Sequence, residues 1–137
     1  STDITKALWE KFVFLVCVAS ITAATRQWTG VSRDDPDGRA LMRSVMTEIT
    51  AVGQACGIDL PDDTADQRLA IIDTQDGRSI ASMAIDLLRG NKMELPWLTG
   101  KVVELGRQHG VPTPIVHTLY TVLKPYAGGR PEDSPEA

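Results

Sequence analysis

The most apolar stretch of this chain, Phe12 to Ala19, reads FVFLVCVA, and Glu10 and Lys11 stand directly before it. It is much shorter than the roughly 20 apolar residues that a membrane-spanning helix needs. Its periodicity fits either a buried strand or a buried helix. Ala and Leu extend the segment on both sides without a break, so we predict a core helix from about Thr5 to Thr25.

Length and composition limit the size and the partners of the protein. A chain of 137 residues with 42% hydrophobic content can bury one core but is short for two ordinary domains. Its 14 Lys+Arg and 18 Asp+Glu leave a net charge of −4 without a basic cluster. Nucleic acid and membrane are therefore not expected partners. With no secretion signal, we expect a cytoplasmic protein in which Cys17 and Cys56 are reduced core residues.

Pro and Gly residues stand where helices begin and end, which predicts an all-α domain of five or six helices. Asp35 followed by Pro36 predicts the start of a helix that Gly57 ends. Further helices are predicted over 64–74, over 78–89 with a stop at Gly90, from Pro96 to near Gly110, and from Thr113-Pro114 to Lys124-Pro125. We predict that the helical domain covers residues 1–127 and that the acidic tail, 128–137, is disordered.

Motifs for phosphate and metal binding are missing from the sequence. No Gly-x-Gly-x-x-Gly follows a strand, and no Gly-x-x-x-x-Gly-Lys-Ser/Thr is present. His109 and His117 have no carboxylate at ligand spacing, so we expect no metal site. Any chemistry must come from less conspicuous groups.

Three positions are candidates for such chemistry, and each also has an ordinary structural interpretation. Lys11 borders the most apolar helix, where burial would ease loss of its proton, but a lysine that lays its stem along the helix explains it as well. Ser82 and Asp86 share a helical face that can simply be solvated. Glu94 lies just before Pro96 at a predicted helix start, where it can bind a ligand or cap the helix.

The order of these residues along the chain resembles a known family. Leu8-Trp9-Glu10-Lys11 is followed by Ala81-Ser82-Met83 with Asp86, then by Lys92-Met93-Glu94 with Gly100, and then by Gly110-Val111-Pro112-Thr113-Pro114. From Ala7 to Lys124 this pattern is similar to the C-terminal domain of ketopantoate reductases (2-dehydropantoate 2-reductases). The resemblance implies an all-α domain of the 6-phosphogluconate dehydrogenase C-terminal type.

The resemblance also implies a function and roles for the candidate residues. The family reduces ketopantoate to pantoate on the route to pantothenate and coenzyme A, and a separate N-terminal Rossmann domain, absent from this chain, holds NADPH. Lys11 then matches the general acid, Ser82 and Glu94 match substrate-binding residues, and Asp86 matches a supporting residue. An ammonium beside the carbonyl stabilises the alkoxide and donates its proton. The expected partners are a 2-oxo acid and the chain's own Rossmann domain, and a homodimer is compatible with this interpretation. Alone, this chain is expected to be inactive.

The chain departs from the family pattern at three positions near the expected chemistry. Family members usually have asparagines four and eight residues after the lysine, and here these positions are Leu15 and Ala19. The asparagine usually found before Gly100 is Thr99. Loss of these amides favours a more apolar 2-oxo acid or ketone as substrate. A helical dimerisation or interaction domain without catalysis is the alternative function.

Overall fold

The apolar stretch lies inside one long helix, α1 (Thr2–Thr25), in the computed structural model, which describes residues 2–135. Two features of the sequence account for this helix: it contains no Pro or Gly, and its apolar residues occupy nearly every face in its second half. Asp3–Thr25 has the length and mean hydropathy (1.7) of a helix able to cross a membrane, and 50% of its most apolar window is buried within the domain. Packing inside the protein accounts for the apolar composition of the buried part of this helix.

Six further helices complete the described part of the chain. They are α2 (Thr29–Arg33), α3 (Pro36–Ala55), α4 (Thr64–Asp73), α5 (Ser82–Arg89), α6 (Thr99–His109) and α7 (Pro114–Leu123). Two short 3₁₀ turns, Leu95–Trp97 and Lys124–Tyr126, precede α6 and follow α7. No β-strand occurs within residues 2–135, and the predicted all-α class is confirmed.

The predicted helix ends have the expected physical basis. Asp35 accepts a hydrogen bond from the Gly38 amide at 2.8 Å, and Pro36 follows at the first helical position of α3. Gly90 and Gly110 end α5 and α6 with φ of 75° and 67°, a region in which glycine carries no penalty from a β-carbon. Local sequence therefore determines these ends.

Helix α2 is missing from the prediction, and α5 begins four residues later than predicted; one set of contacts explains both errors. The amides of Thr29 and Gly30, at the start of α2, donate to the carbonyls of Ser79 and Gly77 at 2.7 and 2.8 Å. A β-carbon on Gly30 would lie 2.8 Å from the Gly77 Cα, so the two backbones meet closely. Residues 78–81 therefore pack against α2 instead of extending α5.

The main core surrounds α1 and joins it to α3, α4, α6 and α7. Cys17 is fully buried in it, its thiol 3.6 Å from the Met42 carbonyl, and burial raises the pKa of the Cys17 thiol well above its usual range. Cys56 is half-buried, and both cysteines are free, as predicted. The buried members of this core are Val13, Val16, Cys17, Val18, Ile21, Met42, Val45, Met46, Ile49, Val52, Ala65, Leu69, Ile72, Val102, Val103, Val116 and Leu119.

A smaller second core covers the C-terminal half of α1. The small side chains of Ala19 and Ala23 allow α5 to lie directly on the helix. The buried members of this second core are Ala19, Ala23, Met83, Ala84, Leu87, Met93, Leu95 and Leu123. It holds α5, the segment before α6 and the end of α7 against one stretch of α1.

The predicted disordered tail is docked where it begins. The Gly129 amide donates to the Tyr126 carbonyl at 3.0 Å, and the Arg130 amide donates to the Gly90 carbonyl at 3.3 Å. The Gly90 carbonyl at the end of α5 thus accepts a hydrogen bond from the tail. The composition of the tail does not predict this contact. Residues 136–137, the end of the predicted tail, lie outside the described residues.

Glu48 of α3 caps a different helix, α7. Its two carboxylate oxygens accept hydrogen bonds from the Ile115 and Val116 amides at 3.0 and 2.9 Å. These amides belong to the first turn of α7, where no helical carbonyl can reach them, and Thr113 before them makes no side-chain cap. One carboxylate therefore joins two core helices, and its negative charge interacts favourably with the dipole of α7.

Glu48→Gln should lower the free energy of unfolding by about 1–2 kcal/mol, because the amide offers one acceptor and no charge to the two N–H groups. Urea unfolding followed by circular dichroism measures the change. The matched control is Glu104→Gln, which removes an exposed ion pair with Lys101 (3.6 Å) and should cost less than about 0.5 kcal/mol. Equal losses in the two variants would contradict a capping role for Glu48.

Ala19→Asn should destabilise the domain by about 1–3 kcal/mol, because Ala19 is 1% exposed and a larger, polar side chain would separate α5 from α1. Leu15→Asn, one turn earlier, is the matched control: Leu15 is 38% exposed, and its replacement should cost less than about 1 kcal/mol. The same unfolding measurement compares them, and a Leu15 variant as unstable as the Ala19 variant would refute the packing described here.

Candidate active-site face

The N-terminal half of α1 has one uncovered face, which we call the outer face: Ile4, Leu8, Lys11 and Leu15. These residues recur at spacings of four, three and four, so they lie along one side of the helix. The side chains of Ile4, Leu8 and Leu15 are 63%, 61% and 38% exposed. Large exposed apolar groups in a row usually mark a binding surface.

Lys11 is the charged member of the outer face. It is exposed, and its ammonium makes no hydrogen bond or ion pair with any other residue in the range 2–135. Its neighbour Glu10 turns toward α4, where it lies 3.6 Å from Arg68. Lys11 is therefore not buried by the domain itself, because no element within residues 2–135 packs over the outer face. An apolar environment at the ammonium requires a covering partner.

Ser82 and Asp86 lie on the outward side of α5. Ser82 is the first residue of the helix and is exposed, and the Ala81 before it makes no side-chain cap. Asp86 lies one turn later and is half-buried; its backbone carbonyl accepts from the Asn91 amide at 2.8 Å. Met83 and Leu87 face the second core, whereas Leu88 is 49% exposed.

Glu94 is held outward by the residues on either side of it. Met93 and Leu95 are 2% and 0% exposed, and the Met93 amide donates to the Ala127 carbonyl at 2.9 Å. Glu94 precedes the 3₁₀ turn but makes no side-chain cap there. The capping interpretation of Glu94 is therefore wrong, and its exposed carboxylate is available to a ligand.

The second core brings together the elements that carry Lys11, Ser82 and Glu94. Its members include Ala19, two turns after Lys11, and Met83, which follows Ser82. They also include Met93 and Leu95, on either side of Glu94. No hydrogen bond or ion pair joins the three candidate side chains to one another in the described part of the chain. The elements that carry the three residues thus pack against one another, while the three side chains lie at the surface.

Burial divides the three departures from the family pattern into two kinds. Thr99 is 0% exposed, and its hydroxyl lies 2.6 Å from that of the equally buried Ser20, so it links α6 to α1. Ala19 is buried beneath α5. Leu15 alone of the three lies at the surface. Ser20 is a polar residue within an apolar helix, and that was the signal in the sequence that could have revealed this pair.

An apolar groove runs beside the outer face, between α1 and α6. Its volume is about 390 Å³, and it is lined by Leu8, Trp9, Phe12, Lys101 and Leu105. The Trp9 and Phe12 rings meet edge to face at 5.3 Å. Among residues 2–135 no group of three or more His, Cys, Asp or Glu side chains is placed to hold a metal ion. None of Lys11, Ser82 and Glu94 lines this groove.

Comparisons with known proteins identify relatives over almost the whole chain. Residues 3–127 match the family model described as "Ketopantoate reductase PanE/ApbA C terminal". A 2-dehydropantoate 2-reductase of Caulobacter vibrioides is 35% identical over 112 residues, which are 82% of this chain and 38% of that protein.

Solved structures agree with this assignment. A dimeric ketopantoate reductase from Staphylococcus aureus superposes with a TM-score of 0.85 at 27% identity, covering 90% of this chain and 43% of that one. A PanE/ApbA family ketopantoate reductase from Ralstonia eutropha gives a TM-score of 0.79 at 33% identity, covering 88% and 40%. This chain therefore spans about two-fifths of the length of these relatives, and it belongs to the ketopantoate reductase family as that family's all-α C-terminal domain.

Proposed function

We propose that this chain is the substrate half of an NADPH-dependent reductase of 2-oxo acids, with 2-dehydropantoate as the first candidate substrate. The observation that carries the proposal is the position of Lys11. Its exposed, unpaired ammonium stands in the middle of an apolar face that the domain leaves uncovered. Such a cation is suited to bind an anionic substrate and to donate a proton once a partner excludes water.

The covering partner in this proposal is an N-terminal Rossmann domain of the same protein. The apolar side chains of Ile4 and Leu8 provide a surface for it, and the remaining length of the relatives provides room for such a domain. NADPH, when bound, would supply hydride to the carbonyl carbon. The surface around Lys11 is largely apolar, so a partner that covers it would exclude water from the place where hydride is transferred. A dinucleotide-binding motif is not found in this sequence, so the 137 residues alone should not turn over substrate.

The candidate residues then divide the chemistry among them. As hydride reaches the carbonyl carbon, the electron pair of the C=O bond moves to oxygen, and the Lys11 ammonium stabilises that charge and gives it a proton. Ser82 offers a hydroxyl that can donate to the substrate carboxylate, and Glu94 offers an acceptor for a substrate hydroxyl. Asp86, one turn after Ser82 on the same helix, has a supporting role in this proposal. Solvent then returns a proton to Lys11.

Lys11→Ala in the full-length protein should lower kcat/KM for the best 2-oxo acid by about 10²–10⁴-fold, the usual contribution of a positioned acid. NADPH oxidation at 340 nm measures turnover across a panel of 2-oxo acids. Lys124→Ala is the matched control, since its ammonium lies 5.7 Å over the Tyr120 ring on α7 and should not affect turnover. Equal activity of wild type and Lys11→Ala would remove Lys11 from the mechanism.

A non-catalytic dimerisation or interaction domain is the second candidate function. The exposed outer face of α1 supports it, because an apolar surface of this kind fits a protein partner as well as a cofactor domain. The solved relative from Staphylococcus aureus is described as dimeric. Full-length protein that reduces no 2-oxo acid but forms a stable dimer in light scattering would favour this second function.

A further inference from the structure

Trp97 is the most exposed large apolar side chain in the described part of the chain, at 71%. The other two tryptophans have partners. Trp9 meets the Phe12 ring at 5.3 Å, and Trp28 lies beneath the Arg78 guanidinium at 5.7 Å. The Trp97 ring has no aromatic or cation–π partner within residues 2–135. Because a covered tryptophan buries a large apolar area, an uncovered ring indicates contact with a molecule outside this domain.

The backbone that carries Trp97 is held firmly. Leu95 and Thr99, two residues before and two residues after it, are both 0% exposed. Pro96 lies between Leu95 and Trp97 in the 3₁₀ turn and fixes the backbone there. An indole that projects from so rigid a segment loses little conformational freedom when it binds a ligand.

Trp97 and Glu94 lie on the same side of this turn. The Trp97 amide donates to the Glu94 carbonyl at 3.0 Å, which closes the turn. Residues three apart in a 3₁₀ turn lie one above the other, about 6 Å apart along the axis. Both side chains are exposed. An indole is long enough to cross this distance, so it can lie against a group that is bound at the Glu94 carboxylate.

The Glu94 carboxylate needs such a neighbour to recognise a hydroxyl group well. In open solvent, water competes for its oxygens, whereas a hydrogen bond is stronger and more selective where water is excluded. Met93 and Leu95, beside Glu94, are buried and face the second core. Trp97 is therefore the large apolar side chain on this segment that is free to cover a group bound at Glu94.

We propose that Trp97 is a substrate-contacting residue: its indole covers the end of the substrate whose hydroxyl binds Glu94, and it keeps water away from that hydrogen bond. The inference rests on the proposed function, since it takes Glu94 as the acceptor of a substrate hydroxyl. It adds a second residue to the recognition of that hydroxyl, and this residue acts by excluding water.

Two substrates that differ by a single hydroxyl test the proposal in the full-length protein: 2-dehydropantoate and 3,3-dimethyl-2-oxobutanoate, the same acid without the hydroxyl. The ratio of their kcat/KM values measures recognition of the hydroxyl. Trp97→Ala should lower this ratio by about fivefold or more, because water then reaches Glu94. Trp97→Phe, which keeps an aromatic ring, should hold the ratio within about twofold of the wild type. Trp28→Ala is the matched control and should leave it unchanged.

Tryptophan fluorescence tests the contact itself. Addition of pantoate, the product that carries the hydroxyl, to the full-length protein with NADP⁺ should change the emission of the wild type and of Trp28→Phe. Trp97→Phe should lose most of that change. An equal change in all three proteins would contradict contact between Trp97 and the ligand.

The outcomes separate this inference from the proposed function. If Glu94→Gln lowers the ratio and Trp97→Ala slows both acids equally, Trp97 has only a structural role and the reductase stands. A ratio that Glu94→Gln leaves unchanged would overturn the role of Trp97 as well, because no hydroxyl is then bound beside it. Failure of the wild type to reduce either acid would reject the reductase and the role of Trp97 with it. Circular dichroism on each variant shows whether a lost activity comes from a lost fold.

Discussion

The architecture depends on how the single long helix α1 is covered. Its C-terminal half needs neighbours on every side, and the main core and the second core supply them. Its N-terminal half is covered on one side, and the other side leaves Ile4, Leu8, Lys11 and Leu15 exposed. The C-terminal half of α1 thus serves the packing of the domain, and the N-terminal half has one face exposed to a partner or ligand. The candidate chemistry lies at the boundary between them, where the side chains are free but the backbone is held.

The second core connects packing to the candidate site. Ala19 and Ala23 are small enough for α5 to lie on α1, and this contact fixes the start of α5, where Ser82 stands. Burial of Met93 and Leu95 in the same cluster turns Glu94 outward. The departure from the family pattern at Ala19 therefore has a consequence for packing, whereas the departure at Leu15 changes the exposed surface. The two positions are alike in sequence, but α5 covers Ala19 and leaves Leu15 exposed.

Much of the fold could be predicted because it is determined locally. The apolar run of α1, the Asp35 cap and the glycines at 90 and 110 each act within one or two helical turns. Contacts between residues distant in sequence could not be predicted: α2 forms against residues 77–79, Glu48 caps a helix 67 residues away, and the Arg130 amide bonds the Gly90 carbonyl. The order of Lys11, Ser82 and Glu94 could be found from the family resemblance. The exposure of Lys11 could not, because it depends on which element packs over α1.

The central claim is that the outer face of α1 binds a 2-oxo acid through Lys11. The most direct measurement is a crystal structure of the full-length protein with NADPH and oxamate, an unreactive analogue of a 2-oxo acid. We expect the Lys11 Nζ to lie at hydrogen-bonding distance, about 3 Å, from the amide oxygen of oxamate, which takes the place of the 2-oxo oxygen. We also expect Leu15 to be covered in that complex. Oxamate bound away from α1, with Lys11 still exposed to solvent, would contradict the account.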